Sequence, residues 1–454
     1  MTSSARYLVV STIGLAFTLV ALRPPRRPQW LMAATFFSAW LTSELAVWHL
    51  AWQFVATLVF IGFGALDSWL GWVGLALTLL SWSGLVAIVA GARHTSRTFA
   101  TALDEALGAG WGDALDPSWA PVPTPFEWRR VVLPFAFRRK GVRRVRSIQY
   151  VDGDPTDGAE GPSKLDNSGP SGPSKRGLRR HRLDVYKREN AGPGAPVLLQ
   201  IHGGAWVIGN KDQQGLPLMY HLAARGWVCV AINYRLAPRA TWPAQLLDCK
   251  RALAWVRARI AEHGGDPDYV VVTGGSAGGH LAALMGLTAN DPRFQPGFED
   301  IDTSVSAMVP FYGVYDWTNR YGQRGRRDGL RRMLERVVVK QRFADAPELF
   351  DQASPMSYIR ADAPPALIVH GDLDTLAPVA EARAFVAELR ATSHSPVVYA
   401  ELHGAHHAFE IFQSIRTLQT VAAVDLFLTW LLTNDPPGSL VPLAEAQSSE
   451  RPGR

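Results

Sequence analysis

The chain has 454 residues, a mass of 49.7 kDa, a formal net charge of +6 and a sequence pI near 9.4. Its two cysteines, Cys229 and Cys249, exclude a disulfide framework. The basic balance comes with neither zinc-ligand spacing nor an aromatic RNA-binding signature, which excludes nucleic acid as a partner. The length exceeds a single hydrophobic core and predicts one large domain plus an appended region.

The appended region comes first. Residues 1–94 hold three apolar runs, Tyr7–Leu22, Trp30–Leu66 and Trp69–Ala92. A helix needs about 20 apolar residues to cross a bilayer, so these predict a transmembrane anchor of about three spans and a multi-pass membrane protein. The first run has one basic residue before it, no small-x-small cleavage site and "RPPRRP" after it, which reads as an anchor and not as a cleaved signal. Arg23, Arg26, Arg27, Arg93 and Arg97 lie on one side of three spans and Asp67 on the other, which predicts a cytoplasmic catalytic domain. Folding of the middle run as two short spans reverses that orientation. Glu44 and His49, ionisable groups within this run, read either as functional residues or as marks of a helix end at the interface.

Residues 95–144 read as a juxtamembrane connector: an amphipathic helix over Thr95–Leu107, then a Trp- and Pro-rich stretch, then basic residues from Arg129 to Arg146. Such a run suits anionic lipid headgroups, at about 1 kcal/mol per basic residue near the surface. The globular domain is predicted over 145–435. Its Gly/Pro/Ser-rich segment 152–178 is expected to be a mobile loop joining the paired strands "RSIQYV" and "HRLDVY", and 436–454 a disordered tail. Beyond the loop, "PVLLQIH", "WVCVAIN", "YVVVTGG", "SAMVPFYG", "PALIVHG" and "PVVYAEL" alternate with helix-length segments, the pattern of an α/β fold with a mostly parallel sheet. Chemistry in such sheets sits at the carboxyl ends of the strands.

Three loops carry the chemistry. "TGGSAGG" puts Ser276 at a G-x-S-x-G turn between a strand and a helix, where glycines permit the strained elbow that exposes a nucleophile. "HGGAW" follows another strand, and its Gly203, Gly204 and Ala205, with Ala277 after the serine, offer backbone N–H groups for an oxyanion hole; Trp206 is a candidate for the substrate pocket. "HGDLD" offers Asp372 and Asp374 to orient a histidine base, and "ELHGAHHAFE" offers His403, His406 and His407. A metal site built on H-x-x-H-H lacks converging ligands, because adjacent side chains diverge and no cysteine is near, so neither metal nor other cofactor is expected.

Together these segments resemble the α/β-hydrolase fold, and within it the hormone-sensitive-lipase-like esterases, over residues 145–432. "HGGAW" stands for that family's H-G-G-G, "NYRLAP" (Asn233–Pro238) and "PAQLLD" (Pro243–Asp248) follow, then "GGSAGG" for G-D-S-A-G-G, "HGDLD", and "GAHHAF" for G-x-x-H-x-F. Two positions depart: Ala205 replaces the third glycine, and Gly275 the aspartate before the nucleophile. The resemblance implies Ser276, Asp374 and His407 as the triad, selecting Asp374 over Asp372 and His407 over His406. The multi-span anchor looks like that of a membrane-bound actinobacterial branch.

The reading is a serine esterase or lipase acting on small-molecule or lipid esters at a membrane. Amide hydrolysis by the same triad, or a non-catalytic membrane-tethered binding module, are the alternatives. The insert 315–348 is predicted to form a cap; its Trp317–Phe343 stretch holds nine Lys or Arg against two acids, which suggests a positive entrance.

Overall fold

Eight strands order this chain. In the computed structural model, which describes residues 1–25, 29–121, 126–151, 180–190, 192–325 and 328–435, they form one sheet in the order β1-β2-β4-β3-β5-β6-β7-β8. These are β1 (Val142–Gln149), β2 (Arg182–Arg188), β3 (Ala195–Ile201), β4 (Val228–Ile232), β5 (Gly265–Gly275), β6 (Ala307–Phe311), β7 (Ala366–Gly371) and β8 (Val397–Leu402). β1/β2 and β2/β4 are antiparallel, and every other pairing is parallel. The central strands are apolar throughout because helices cover both faces; β4, β6 and β7 are buried at every residue. This strand order with flanking helices is the α/β-hydrolase fold.

The helices are α1 (Ser3–Leu22), α2 (Gln29–Glu44), α3 (Ala46–Gly62), α4 (Trp69–Ala92), α5 (Thr95–Leu107), α6 (Trp128–Val132), α7 (Leu216–Arg225), α8 (Ala244–Arg259), α9 (Ala277–Leu287), α10 (Gly329–Met333), α11 (Pro347–Gln352), α12 (Val379–Thr392) and α13 (Ile415–Asn434). The paired strands either side of the long loop form as expected, with Ile148 opposite Leu183. The loop 152–178, the tail 436–454, and Arg26 and Arg27 lie outside the described residues.

The N-terminal helices reverse the burial rule of the sheet domain. Ser11, Thr18, Gln53, Thr57, Thr78 and Ser81 are buried, while Val9, Leu19, Val55, Leu58, Leu80 and Val86 face outward. Polar contacts run between the helices: Tyr7 Oη donates to Thr57 (3.3 Å) and Thr78 (3.2 Å), Thr78 to Ser11 (2.9 Å), and Thr18 pairs with Ser81 (2.8 Å). Gly74 lets α4 approach the Tyr7–Leu8 backbone, where a Cβ would stand 3.0 Å from the Tyr7 ring. These contacts make α1 and α4 parallel and α3 antiparallel to both.

Three helical segments are long and apolar enough to cross a membrane, Ser3–Leu22, Trp69–Leu107 and Ile415–Asn434, and one bent pair passes the same test. Ile415–Asn434 is largely buried against the sheet domain. The middle apolar run is not one straight helix as expected: it breaks at Leu45, and Thr35–Glu44 turns 91° from Ala46–Gly62. The reason is visible in the packing, since Trp40 of α2 joins the same apolar cluster as Phe409, Phe412 and Ala408 of the sheet domain. Likewise α5 is part of the sheet domain's outer layer and not a free connector, because Phe99, Ala102 and Leu103 are buried in that cluster. Beside the bend, Leu45, Trp48 and residues 132–136 line an apolar groove of about 650 Å³.

Candidate active site

β5 ends at Gly275, and α9 starts at Ala277. Ser276 between them has φ 59° and ψ −119°, a conformation that side chains rarely adopt and that costs on the order of 1–3 kcal/mol. Its N–H is fixed by Phe311 O (2.9 Å) at the end of β6. Gly274 and Gly278 make this turn possible, since a Cβ on either would run into the Ile201 carbonyl at the end of β3.

The loop after β3 lies against this elbow. A Cβ on Gly203 would stand 3.2 Å from Ser276 Cβ, which places the "HGGAW" backbone beside the serine. Gly203 N–H is already committed to Gln214 Oε1 (2.6 Å) and shapes the loop. Among the described residues, no acceptor takes the N–H of Gly204, Ala205 or Ala277. Ala205 holds φ 53° where the family pattern has glycine, and Trp206 follows at 61°.

The surrounding motifs brace that loop. His202 donates through Nδ1 to Gly203 O (2.7 Å), and burial lowers its pKa to about 4, against the opposing pull of that bond. Tyr234 of "NYRLAP" stacks on the His202 ring (4.4 Å between centroids) and donates to His202 O (2.9 Å). Asp248 of "PAQLLD" accepts from Arg235 N–H and pairs with its guanidinium and with His181. Trp206, the candidate for the substrate pocket, follows on this loop. It is buried, donates to His280 Nδ1 (3.2 Å) and meets Trp317 edge-on (4.8 Å), because its backbone turn points the indole into the core.

Asp374 and His407 follow the ends of β7 and β8. His407 Nδ1 lies 2.6 Å from Asp374 Oδ2, with both side chains buried. Asp374 Oδ1 accepts from the N–H groups of Leu376 and Ala377 (2.8 Å each). Burial alone would raise the pKa of Asp374; the charge and hydrogen bonds of His407 and His370 outweigh it and hold the carboxyl well below the usual range. Asp372 binds the same loop elsewhere, accepting from Gly404 N–H (2.8 Å) and meeting His403 Nδ1 (2.7 Å). His406 turns away and donates to Ala21 O (2.8 Å) at the end of α1, with burial lowering its pKa to about 4. The three histidines thus have three different partners, and among the described residues no group of three or more His, Cys, Asp or Glu is arranged to hold a metal ion.

Tyr312 and Glu410 had no signature in the sequence beyond the unusual Gly275. The Tyr312 ring fills the space a side chain at 275 would need, lies 4.6 Å from the His407 ring and donates its hydroxyl to Glu410. Glu410 is buried, which pushes its pKa up to about 7 against the Tyr312 bond.

The 315–348 insert packs on the core through Trp317, Leu334 and Val338. Three of its arginines are held by the protein itself: Arg324 is buried between Asp328 and Glu381, Arg320 pairs with Asp316 and Asp351, and Arg331 lies over Phe343. Arg326 and Arg327 fall outside the described residues. Part of the basic run from Arg129 to Arg146 is likewise paired, with Arg144 on Asp184 and Asp212, and Arg130 and Arg139 on Glu127.

Comparison with known proteins shows similarity to esterases of Mycobacterium tuberculosis, among others. The probable carboxylic ester hydrolase LipM is 40% identical over 442 residues, covering 95% of this chain and 94% of LipM. Esterase LipQ is 49% identical over 57% of this chain, and esterase LipC 48% over 54%. The chain spans 61% of the length of each of those two. The family described as BD-FAE matches residues 183–389.

Proposed function

The chain belongs to the hormone-sensitive-lipase-like family of carboxylic ester hydrolases, and on that premise we propose that it is a membrane-bound serine esterase working through Ser276, His407 and Asp374. The observation that carries the reading is the buried 2.6 Å contact of His407 with Asp374, in a site that also holds the strained Ser276 turn.

In the cycle, His407 takes the Ser276 proton through Nε2 as Oγ attacks the ester carbonyl. Asp374 holds Nδ1–H, fixes the tautomer and stabilises the imidazolium. The N–H groups of Gly204, Ala205 and Ala277 receive the developing oxyanion, each donor contributing roughly a hundred- to a thousand-fold in turnover. His407 returns the proton to the leaving alcohol, and a water activated by the same nitrogen then frees the acid.

Inverted burial in α1, α3 and α4 supports the membrane reading, since polar groups gather inside and apolar side chains face out. With α1, α3 and α4 as the spans and α2 against the catalytic domain, Arg23 and Arg93 fall at the catalytic end, which favours the cytoplasm. Exposed Phe126, Trp128 and Phe135 near Arg129 and Arg138 suit a headgroup interface. The substrates are short to medium acyl esters or lipid-like esters.

The test is turnover of aryl esters of graded acyl length, beside matched amides, by the full-length protein in detergent. Ser276→Ala is expected to lose activity on every ester. Undiminished hydrolysis by that variant overturns the assignment, and faster cleavage of amides than of esters overturns the substrate class.

A further inference from the structure

Both chain neighbours of His407 are bound by the N-terminal helices. His406 donates to Ala21 O of α1 (2.8 Å), and Ala408 O accepts from Trp40 Nε1 of α2 (2.8 Å). Ala408 sits at φ 63°, a left-handed conformation that needs outside support in a residue with a side chain. Phe36, one turn before Trp40, meets the His407 ring edge-on at 6.2 Å, and Trp40 stacks between Phe36 and Phe412.

At the end of α2, Glu44 reaches the far side of the same loop. It pairs with Arg416 and accepts from Ser414 Oγ (2.6 Å), both members of the ion pair being 1% exposed. Arg416 in turn donates to Gly404 O (3.0 Å), three residues before the base. A tether needs only an apolar face; a buried carboxylate in an otherwise apolar helix is costly to place, and here it clamps the loop that carries the base.

We propose that α2 is a positioning element of the active site: Trp40 and Glu44 hold the 403–414 loop so that His407 meets Asp374 and Ser276 in register. The bend at Leu45 is what turns α2 out of the path of α3 and onto this loop. The proposal rests on the triad reading above.

The experiment uses the full-length protein in detergent with p-nitrophenyl butyrate, and compares Trp40→Phe, the double variant Glu44→Met/Arg416→Met, and Trp72→Ala, an outward residue of α4 away from the loop. Trp40→Phe keeps the ring and removes the N–H; the double variant removes both charges together, so neither is left buried alone. Both are expected to lower kcat about ten- to a hundred-fold with KM within about twofold, and to shift the lower apparent pKa of kcat/KM, because a misplaced base loses alignment. Trp72→Ala is expected to match the parent. Fluorophosphonate labelling at saturation gives the fraction of folded site. A fall in kcat that only follows that fraction, with the pH profile unchanged, overturns the proposal, as do parental kinetics in both variants. Ser276→Ala and Asp374→Asn run alongside: if they stay active the triad reading fails, whereas if they are inactive and the α2 variants are parental, only the positioning role fails.

Discussion

The sheet domain and the N-terminal bundle solve the same packing problem in opposite ways. In the sheet domain, Val197 to Leu199 and Val270 to Val272 are buried and polar groups are kept for the strand ends, where Ser276, Asp374 and His407 lie. In the bundle, Thr18, Thr78 and Ser81 are inside and Leu58, Leu80 and Val86 outside. Water drives the first arrangement, while the second is the one that, in the membrane setting proposed above, lets helices associate among equally apolar surroundings. The two rules meet at α2, whose Trp40 and Glu44 are buried against the His407 loop.

The sharpest way to break this contrast is at the strand ends, where single groups matter most. Asp374→Asn is expected to reduce kcat by about 10⁴-fold by disturbing the His407 tautomer, while Asp372→Asn, at a carboxylate that holds His403 and the Gly404 N–H, should cost less than about tenfold. Steady-state kinetics on one aryl ester separates the two; equal losses would mean that the acid has been misassigned.

At the junction, Glu44→Gln leaves Arg416 buried without a counter-charge, and about 3–5 kcal/mol of stability should be lost. Thermal unfolding in detergent reads this directly, and an unchanged Tm would mean that α2 merely rests on the loop.

Glu410 sharpens the comparison through pH. Its folded pKa of about 7 is above its ordinary 4.5, so its favourable contribution is complete below 4.5 and is lost as pH rises through 7. Glu410→Gln removes that loss, and relative to the parent the variant should gain up to about 3 kcal/mol between pH 5 and 8. Parallel stability curves over that range would contradict the assigned burial of a carboxylate behind Tyr312.

The smallest effect belongs to the bundle. Thr18→Val deletes one interhelical hydroxyl contact with Ser81 and should cost about 0.6 kcal/mol. A loss several times larger would place this bundle under the packing rules of the sheet domain.

Much of the sheet domain was legible in the sequence because strand alternation and the elbow glycines are local signals. "YVVVTGGSAGG" alone predicts β5, the turn and α9. Local signals also marked Glu44 as unusual within an apolar run, but its partner Arg416 is 372 positions away and no periodicity links them. The same limit hid Tyr312 and Glu410: Gly275 announces missing bulk, not what fills it. The "HGGAW" motif predicts the turn of its loop but not where the Trp206 indole packs, which is against His280 and Trp317. The pairing of Arg324 in the insert was equally hidden, because Glu381 lies on α12, 57 positions later.

The most direct test of the esterase assignment is the site of covalent capture. After the full-length protein reacts with a fluorophosphonate, peptide mass spectrometry should find one adduct, on Ser276, and ester hydrolysis should fall in step with its occupancy. An adduct on another residue, or complete hydrolysis persisting after Ser276 is fully modified, would contradict the account.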